Sequence, residues 1–416
     1  MMKSIPGMQD ILPGEVEAWQ KIEAFARDFF ARYHYQEIRT PLLETTDLFV
    51  RGIGSETGVV QKEMYTFDDK GGDSVTLRPE GTASVIRAYI EHHLAHADPV
   101  TKLFYLGAMF RYERPQKGRL RQFHQLGCEL IGSPSPHADA EVIQLLDGFV
   151  RGLGLSDFKL EINSLGCLKA ECRPTYLKKV KTYFEGIASK LCADCQRKVT
   201  TNPLRILDCK VEACKKLANS APLILEHQCR ECAQHFEKVE NNLKHYRIQY
   251  FVNQRIVRGL DYYDRTAFEL TSDKLGSQNA FAGGGRYSGL VKSLGGADVT
   301  GVGFAIGLER LVMLLEGTFV PAKSITIYLA ALGENAYAKI LELAQNLRAE
   351  GFNCEMDYEE KSLKSQLRRA DKLKCSHVII LGDDEIQKGE AQVKDFKTQA
   401  QSHIPFPQLI SHFKSL

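Results

Sequence analysis

The hydrophobic pattern of the first 168 residues predicts helices and strand hairpins. Apolar residues recur at helical spacing over residues 15–33, and residues 82–93 form a second predicted helix. Strand-like runs come in two pairs joined by turn-rich connections: 64–67 with 74–77, and 102–112 with 121–131. A short strand over 36–40 ends at Pro41, which suggests a sheet edge or an interface. This order lacks the strand–helix alternation of a dinucleotide-binding sheet and indicates an antiparallel sheet.

The pattern changes twice further along the chain. Residues 169–246 consist of long helical runs rich in Lys, Glu and Cys, which predict an inserted helical module. The next predicted elements are strands over 248–253, 266–270, 280–282 and 302–305 and helices over 288–294 and 308–315. After Pro321 the elements alternate: strands over 325–332, 353–357 and 377–381, and helices over 336–350 and 362–373. This alternation predicts a separate α/β domain.

The composition agrees with two to three folded domains. The chain has 416 residues, of which 44% are hydrophobic and 25% charged, the balance of a globular protein rather than a disordered or fibrous one. Its 54 basic and 52 acidic residues give a net charge of +2, which neither indicates nor excludes a polyanionic partner. No apolar stretch reaches the length of a membrane span, and residues 1–10 lack a signal-peptide core. We therefore expect a cytoplasmic protein without a membrane partner.

Cysteine is the unusual feature of the composition. The chain has eleven cysteines, and six of them fall between Cys192 and Cys232. An odd count without a secretion signal fits reduced thiols or metal ligands better than disulfides. Four of the cysteines are spaced in a way that is compatible with a tetrahedral zinc site: Cys192, Cys195, Cys209 and Cys214. Alternative ligands are Cys229, Cys232 and His235. Buried thiols also behave as small hydrophobic groups, so the spacing alone leaves structural zinc open.

A cluster of cations lies on one predicted hairpin. Between residues 110 and 121 the chain carries five: Arg111, Arg114, Lys117, Arg119 and Arg121. Strand alternation places Arg111 and Glu113 on one face and Tyr112 on the other. Arginine forks suit phosphate oxygens, so the cluster indicates a polyphosphate or nucleic-acid ligand. A solvated hairpin tip is the plainer alternative.

Three further motifs combine polar groups with glycine. Residues 76–82 run from a strand end into a helix start, where Glu80 either binds a ligand or caps the helix. Residues 258–263 place an arginine beside two tyrosines, which are equally typical of a core. Residues 283–286 contain three glycines, which allow close backbone approach to a ligand or form a flexible turn. The sequence contains no P-loop or Gly-rich dinucleotide fingerprint.

The combination and order of these motifs resemble the histidyl-tRNA synthetases of bacteria, which belong to class II of the aminoacyl-tRNA synthetases. The resemblance spans nearly the whole chain and rests on six segments: 76–82 (TLRPEGT), 110–119 (FRYERPQKGR), 122–129 (QFHQLGCE), 258–263 (RGLDYY), 283–287 (GGGRY) and 301–310 (GVGFAIGLER). It implies an α+β fold, in which a helical insertion interrupts a class II antiparallel-sheet catalytic core and a C-terminal α/β anticodon-binding domain follows. The expected boundaries are 1–168 and 247–320 for the two parts of the core, 169–246 for the Cys-rich insertion and 324–416 for the last domain.

The resemblance implies activation of L-histidine by ATP to histidyl adenylate, followed by transfer to the 3′ end of tRNA(His). Arg111 and Arg258 are then expected at the α-phosphate as the catalytic residues. Nucleotide contacts are expected from Arg111, Arg119, Phe123 and Arg310, with Mg²⁺ on the β and γ phosphates. Histidine contacts are expected from Glu80, Gly81, Thr82, Arg111, Gln125, Glu129, Arg258, Tyr262, Tyr263 and Tyr287.

The resemblance also implies tRNA contacts and a homodimer. Arg114 and Gln116 are the expected readers of the acceptor end, and the segment around Pro41 is the expected dimer contact. In the last domain, six cations stand near one anion, Asp371, and anticodon contact is their implied role: Lys361, Lys364, Arg368, Arg369, Lys372 and Lys374. A solvated helix face is the alternative for these charges.

Two relatives of this family are alternative identities. A non-catalytic paralogue that regulates histidine biosynthesis shares the core, but it typically lacks the anticodon domain and has degraded RGLDYY and hairpin motifs, which are present here. A class II synthetase for another amino acid, such as threonine or proline, shares the core and a related last domain. Pyrophosphate exchange with each amino acid distinguishes these possibilities.

Overall fold

The chain folds into two compact units, Met1–Phe319 and Val320–Leu416. A computed structural model describes residues 2–209, 211–276, 279–317 and 325–416. The predicted boundary between residues 320 and 324 lies outside these described residues, and the other domain boundaries stay predictions. Within the described ranges, none of the helices has the length and apolar character needed to cross a membrane.

A large, mostly antiparallel sheet forms the first unit. Its strands are β1 (Gln36–Glu37), β2 (Leu43–Thr45), β3 (Tyr65–Asp68), β4 (Ser74–Leu77), β5 (Thr101–Phe110), β6 (Gln122–Ile131), β7 (Lys159–Ser164), β8 (Phe251–Val252), β9 (Asp264–Thr271), β10 (Ala280–Tyr287) and β11 (Gly301–Gly307). The eight-stranded sheet has the order β1-β5-β6-β11-β10-β9-β7-β8, with parallel pairs at its two edges and antiparallel pairs between them. β2, β4 and β3 form a small antiparallel sheet. The predicted antiparallel core is confirmed.

The first unit also contains a set of helices, some of which bury aromatic side chains against the large sheet. They are α1 (Val16–Ala31), α2 (Thr46–Ile53), α3 (Thr82–Glu91), α4 (Pro136–Gly152), α5 (Arg173–Gly186), α6 (Ala193–Thr201), α7 (Glu212–Ala218), α8 (Arg230–His245), α9 (Leu290–Ser293) and α10 (Leu308–Leu314). The ring centroid of Phe30 in α1 lies 5.1 Å from that of Phe104 in β5 and 5.5 Å from that of Phe149 in α4. Burying each such side chain contributes about 1.5–3 kcal/mol, so this core fixes the sheet.

The predicted insertion contains a second core. Phe184 of α5 and Val199 of α6 are buried together with residues of α7. In contrast, Phe236, Val239 and Leu243 of α8 belong to the core of the large sheet, where α8 packs against α4. The end of the predicted insertion is therefore tied to the sheet by apolar packing.

The second unit is a five-stranded sheet with helices on both faces. Its strands and helices are β12 (Thr326–Ala331), α11 (Glu334–Ala349), β13 (Asn353–Met356), α12 (Leu363–Lys372), β14 (His377–Leu381), α13 (Asp383–Lys388), β15 (Glu390–Asp395), β16 (Gln401–Pro405) and α14 (Leu409–Lys414). The order β13-β12-β14-β15-β16 is parallel for the first three strands and antiparallel for the last two. Leu343 of α11 packs in one core, and Ala370 of α12 packs in the other. The predicted α/β domain is confirmed.

Three local predictions differ from the structure. The glycines of 283–285 do not form a turn but lie within β10, where a Cβ on Gly284 would lie 2.1 Å from the carbonyl oxygen of Gly303 on β11. β5 ends at Phe110, so strand alternation does not govern the directions of Arg111 and Glu113. The predicted strand 36–40 is shortened to β1, and 248–253 is shortened to β8, since both pair at a sheet edge. The hydrophobic pattern had also not revealed α4.

Candidate active site

A cavity of about 390 Å³ brings together residues from distant parts of the chain. β6, β9, β10 and β11 contribute to its walls, together with the first residues of α3 and α10. Predicted site residues that line it are Glu80, Thr82, Arg111, Arg119, Phe123, Gln125, Arg258, Tyr262, Tyr263 and Arg310. The other predicted site residues of this unit are not part of the lining: Gly81, Glu129, Tyr287, Arg114 and Gln116. The sheet therefore gathers motifs that are up to 230 positions apart in the sequence.

Glu80 lies at the start of α3 and on the cavity wall. Its carboxylate oxygens accept hydrogen bonds from the backbone N–H groups of Thr82 at 2.8 Å and Ala83 at 2.7 Å, which is the capping arrangement considered from the sequence. The hydroxyl of Tyr262 donates to the same carboxylate at 3.4 Å. Burial raises the pKa of Glu80, while the backbone hydrogen bonds oppose that rise. Capping fixes the carboxylate in one orientation at the cavity.

Glu129 lies behind the wall and contacts it through Thr82. The Thr82 hydroxyl donates to one carboxyl oxygen of Glu129 at 2.6 Å, and the Tyr287 hydroxyl donates to the other at 2.8 Å. Burial raises the pKa of Glu129 to about 8, although both hydrogen bonds oppose the rise. Gly303 makes room for this carboxyl group, since a Cβ there would lie 2.0 Å from a Glu129 oxygen.

Two arginines, Arg111 and Arg258, project into the cavity from different motifs. Arg111 donates from Nε to the carbonyl oxygen of Pro79 at 2.8 Å, and its guanidinium lies 5.3 Å from the ring centroid of Phe123. Arg258 donates from Nη1 to Glu269 at 2.6 Å and lies 5.0 Å from the ring centroid of Tyr263. Each guanidinium is therefore held by one acceptor and one aromatic face.

Gly283 of β10 leaves space for Arg258. A Cβ at that position would lie 2.5 Å from Nη1 and 2.9 Å from Nη2 of Arg258. The first glycine of the predicted motif therefore has a steric role at the cavity.

Arg119 and Arg310 line the same cavity. Arg310 of α10 donates from Nε to the carbonyl oxygen of Gly118 at 2.9 Å and from Nη1 to the carbonyl oxygen of Ala280. Arg119 forms an ion pair with Glu113. Burial, followed by the charge of Arg119, lowers the pKa of Arg310.

Arg286, which follows the three glycines, is a structural residue. It is buried and donates from Nε to both carboxylate oxygens of Asp139, at 3.1 and 3.0 Å. It also donates to the carbonyl oxygens of Ser133 at 2.8 Å and Ser135 at 3.0 Å. These bonds fix the start of α4 to β10. Arg286 does not line the cavity.

The hairpin loop lies beside a second cavity of about 770 Å³. Gln116 lines this cavity with residues of the N-terminal segment and α10, whereas Arg114 is exposed elsewhere on the loop. The backbone N–H of Gln116 donates to the carbonyl oxygen of Arg119 at 3.1 Å, so the loop is closed by its own backbone. Both residues are accessible from outside the first cavity.

Sequence reasoning did not predict five charged residues that line the first cavity: Glu113, Arg205, Asp208, Glu269 and Glu309. Glu269 had a usable signal, because it alternates on β9 with Phe268 and Leu270, which are both buried. Arg205 and Asp208 come from the predicted insertion, and Arg205 donates to the carbonyl oxygen of Gly259. Only the folded structure places these two beside the RGLDYY segment.

The four cysteines predicted as zinc ligands lie together in the insertion. The Sγ atoms of Cys192, Cys195, Cys209 and Cys214 all lie within 4.8 Å of one another. Sγ of Cys192 is 4.0 Å from Sγ of Cys209, and the backbone N–H of Cys192 donates to Sγ of Cys214 at 3.2 Å. Cys229 and Cys232 are not part of this group, and Nε2 of His235 instead lies 3.3 Å from Asp139.

Comparison with known proteins decides the family. A family profile described as Histidyl-tRNA synthetase matches residues 7–311, and one described as Anticodon binding domain matches residues 326–416. The chain belongs to the histidyl-tRNA synthetase family. The predicted family is confirmed, and with it the prediction of an aminoacyl-tRNA synthetase, a ligase that binds tRNA.

Individual members of the histidyl-tRNA synthetase family match along nearly their full length. The Histidine--tRNA ligase of Geobacter metallireducens is 51% identical over 404 residues, which cover 97% of each chain. That of Syntrophotalea carbinolica is 49% identical over 403 residues, covering 97% of this chain and 96% of its own. The crystal structure of apo histidyl-tRNA synthetase from S. aureus has 36% identity and a TM-score of 0.82, with complete coverage of both chains. The fold is that of the family.

Proposed function

We propose that this synthetase activates L-histidine with ATP and transfers the histidyl group to the 3′ end of tRNA(His). The observation that carries the proposal is the convergence of the family motifs on one cavity of about 390 Å³. The histidine carboxylate attacks the α-phosphorus of ATP, the bond to the bridging oxygen breaks, and pyrophosphate leaves. Neither this step nor acyl transfer requires a protein nucleophile, so positioning and charge neutralisation are the tasks of the site.

Arg111 and Arg258 are the proposed catalytic residues. Both line the cavity from different motifs, and each offers a planar fork that fits phosphate and carboxylate oxygens. Nε of Arg258 is buried and, among the described residues, has no hydrogen-bond partner. A phosphate oxygen between the two guanidinium groups would satisfy this donor. We assign both arginines to the α-phosphate, with Arg111 also contacting the histidine carboxylate.

The nucleotide occupies the part of the cavity between Phe123, Arg119 and Arg310. Phe123 offers a ring face for adenine, and the two arginines neutralise the γ-phosphate. Two carboxylates of the lining are already paired, Glu113 with Arg119 and Glu269 with Arg258. We take the substrate to be MgATP, with the ion on the β and γ phosphates, as the resemblance to the family implies.

The amino-acid pocket lies where Glu80, Thr82 and Gln125 meet. Oε1 of Gln125 is buried and has no partner among the described residues, so it is available to accept from the substrate ammonium group together with Glu80. Gly81 and Thr82 start the helix that carries this wall. Such a pocket rejects ligands that leave its polar groups unpaired.

The imidazole side of the pocket is assigned to Tyr263 and Glu129. Tyr262 and Tyr263 have ring centroids 4.5 Å apart, and Tyr262 packs at 5.8 Å against Tyr287. Glu129 is hydrogen-bonded to Tyr287 and Thr82, so in this arrangement it orients the pocket through these two hydroxyl groups.

The tRNA contacts are assigned to two surfaces. Arg114 and Gln116 on the accessible hairpin loop read the acceptor end. In the second unit, five of the six predicted cations are exposed: Lys361, Lys364, Arg368, Lys372 and Lys374. Arg369 differs, because it lies 3.8 Å from both Glu355 and Asp357. The exposed cations form the proposed anticodon-contacting face.

A homodimer and a cytoplasmic location complete the proposal. Leu42, Leu43 and Phe67 expose apolar side chains on and beside the small sheet, next to Pro41. Covering them with a second copy removes this apolar surface from water. ATP and tRNA are cytoplasmic substrates. A single-chain mass in sedimentation at micromolar concentration would disprove the dimer.

Structural zinc is proposed for Cys192, Cys195, Cys209 and Cys214. Four thiols within 4.8 Å fit a closed tetrahedral site. The site would hold the segment that carries Arg205 and Asp208 to the cavity, since Asp208 precedes Cys209 directly. Elemental analysis of the purified protein tests it: a metal content below about a tenth of an ion per chain contradicts the assignment.

Pyrophosphate exchange with each amino acid tests the proposed activity. Exchange that depends on histidine, followed by charging of tRNA(His), is expected. Histidine-independent exchange with threonine or proline would assign another substrate. No exchange with any amino acid would instead favour the non-catalytic paralogue that regulates histidine biosynthesis.

A further inference from the structure

A second group of four cysteines lies outside the predicted zinc site. The Sγ atoms of Cys167, Cys172, Cys229 and Cys232 all lie within 4.8 Å of one another. Sγ of Cys167 is 3.8 Å from Sγ of Cys229, far beyond the S–S bond of about 2.05 Å in a disulfide. A tetrahedral site with Zn–S bonds of about 2.3 Å separates its sulfurs by about 3.8 Å. We propose that these four cysteines form a second structural zinc site.

Backbone hydrogen bonds to sulfur support this assignment. Sγ of Cys172 accepts from the backbone N–H groups of Cys167 and Cys229, each at 3.3 Å. Such donors stabilise a thiolate and orient it as a metal ligand. The two N–H groups come from the two chain segments that provide the ligands, so the same contacts hold the segments in register.

The backbone just before Cys167 leaves room for the sulfur of Cys172. Gly166 has a φ of +68°, which is the left-handed region, and a Cβ there would lie 2.9 Å from Sγ of Cys172. The other pair lies at the start of α8, with Cys229 as its N-cap residue and Cys232 in its first turn. Both pairs are therefore presented by defined turns.

Hydrophobic packing does not account for this group. Among the described residues, the apolar cluster that contains Cys167, Cys172 and Cys232 has only Cys229 packed against it. Cys128 shows the contrast, because it is buried among aliphatic and aromatic side chains of the main core. Four thiols that pack only with one another are typical of a metal site rather than of a hydrophobic core.

The proposed site closes the base of the insertion. Cys167 follows β7 and Cys172 precedes α5, where the chain leaves the sheet, and Cys229 and Cys232 begin α8, which returns to it. Arg173, next to Cys172, donates from Nη1 to the carbonyl oxygen of Tyr263 at 2.7 Å. A metal here fixes the base of the insertion against the cavity wall. The inference does not depend on the proposed catalytic function.

Zinc content per chain tests the inference. Protein purified under reducing conditions without chelators is expected to contain about two zinc ions per chain by mass spectrometry. The double variant Cys229→Ser/Cys232→Ser should retain about one, and so should Cys209→Ser/Cys214→Ser, because each removes half the ligands of one site. Cys354→Ser, in the second unit, is the matched control and should retain both ions.

Measurements on the unaltered chain keep the test decisive if a variant does not fold. An organomercurial that blocks thiols should release about two zinc ions per chain into a chromogenic chelator. Release of about one ion from the unaltered chain overturns the proposal of a second zinc site, and the double variants then show which of the two cysteine groups holds that ion. If the unaltered chain contains no zinc, both proposed zinc sites are overturned. Neither zinc result bears on the proposed function, which histidine-dependent pyrophosphate exchange tests separately.

Discussion

The hydroxyl of Tyr287 donates a hydrogen bond of 2.8 Å to the carboxyl group of Glu129, and both side chains are buried. Thr82 donates to the other oxygen of this carboxyl group at 2.6 Å. Burial nevertheless raises the pKa of Glu129 to about 8. The folded chain therefore retains a proton on Glu129 at neutral pH that the unfolded chain releases.

The retained proton makes stability depend on pH. The unfolded carboxyl group ionises near its ordinary pKa of about 4.5, and the folded one near about 8, so folding takes up a proton between these values. The contribution of Glu129 to the free energy of unfolding should fall by at most about 1.4 kcal/mol per pH unit across this window and level off above it. Replacing Glu129 by Gln removes the titration. In urea unfolding, the Glu129→Gln variant should therefore become more stable relative to the unaltered protein as the pH rises from about 6 to about 8. Plots of stability against pH that run parallel for the two proteins would contradict the raised pKa of Glu129.

Replacing Arg258 by Ala should separate chemistry from binding. Its proposed partner is the reacting α-phosphate, so we expect a loss of about 100-fold or more in histidine-dependent pyrophosphate exchange. The dissociation constant of histidine alone, measured by calorimetry, should change by less than about threefold, which is about half of the 1.4 kcal/mol that a tenfold change represents. Equal losses in both quantities would reject the role at the α-phosphate.

Gly283→Ala should impair the site through Arg258. The added Cβ would lie 2.5 Å from Nη1 of Arg258, which is the end of a flexible side chain, so the guanidinium shifts while the fold is retained. We expect a loss of about tenfold or more in exchange with little change in melting temperature, since misplacement of a catalytic group is costly. Gly289→Ala is the control, because a Cβ there meets no atom within 4 Å. Full activity of Gly283→Ala would show that Arg258 need not occupy this position.

Gln116→Ala should affect tRNA and not the adenylate. The side chain lies on the accessible hairpin loop and outside the lining of the first cavity. Aminoacylation should weaken by about 10-fold, which corresponds to the loss of about one polar contact of 1–1.5 kcal/mol. Pyrophosphate exchange should remain at the level of the unaltered chain, and its loss would exclude a role confined to tRNA.

Asp139→Ala should destabilise the first unit strongly. Both partners of the Arg286–Asp139 pair are buried, and removing Asp139 leaves the guanidinium without its counter-charge. The expected loss is about 3–5 kcal/mol in the free energy of unfolding, measured with denaturant. The exposed pair of Lys292 and Asp298 provides the control, for which Asp298→Ala should cost less than about 1 kcal/mol. Similar losses of unfolding free energy in the two variants would contradict the stronger contribution of the buried pair.

Local patterns predicted most elements of the fold because periodicity reports which face of an element is buried. The helix at 82–93 corresponds to α3, and the strands at 64–67 and 74–77 correspond to β3 and β4. α4 was missed although the sequence offered a usable signal, because its buried residues Val142, Leu146 and Phe149 recur at helical spacing. The sequence left two roles open for the three glycines, close approach to a ligand or a turn, because the need for glycine there comes from atoms of other segments rather than from their own backbone.

The sequence alone determined the family, because its motifs are short, ordered and chemically specific, and it named ten of the residues that line the cavity. Only the tertiary structure decided which neighbours those residues meet. It buried Arg286 against Asp139, and it set Glu129 behind Thr82. It also sorted eight cysteines into two groups, one of which joins residues 167 and 232. Such contacts arise from strand register and packing between distant segments, and spacing along the chain does not encode them locally.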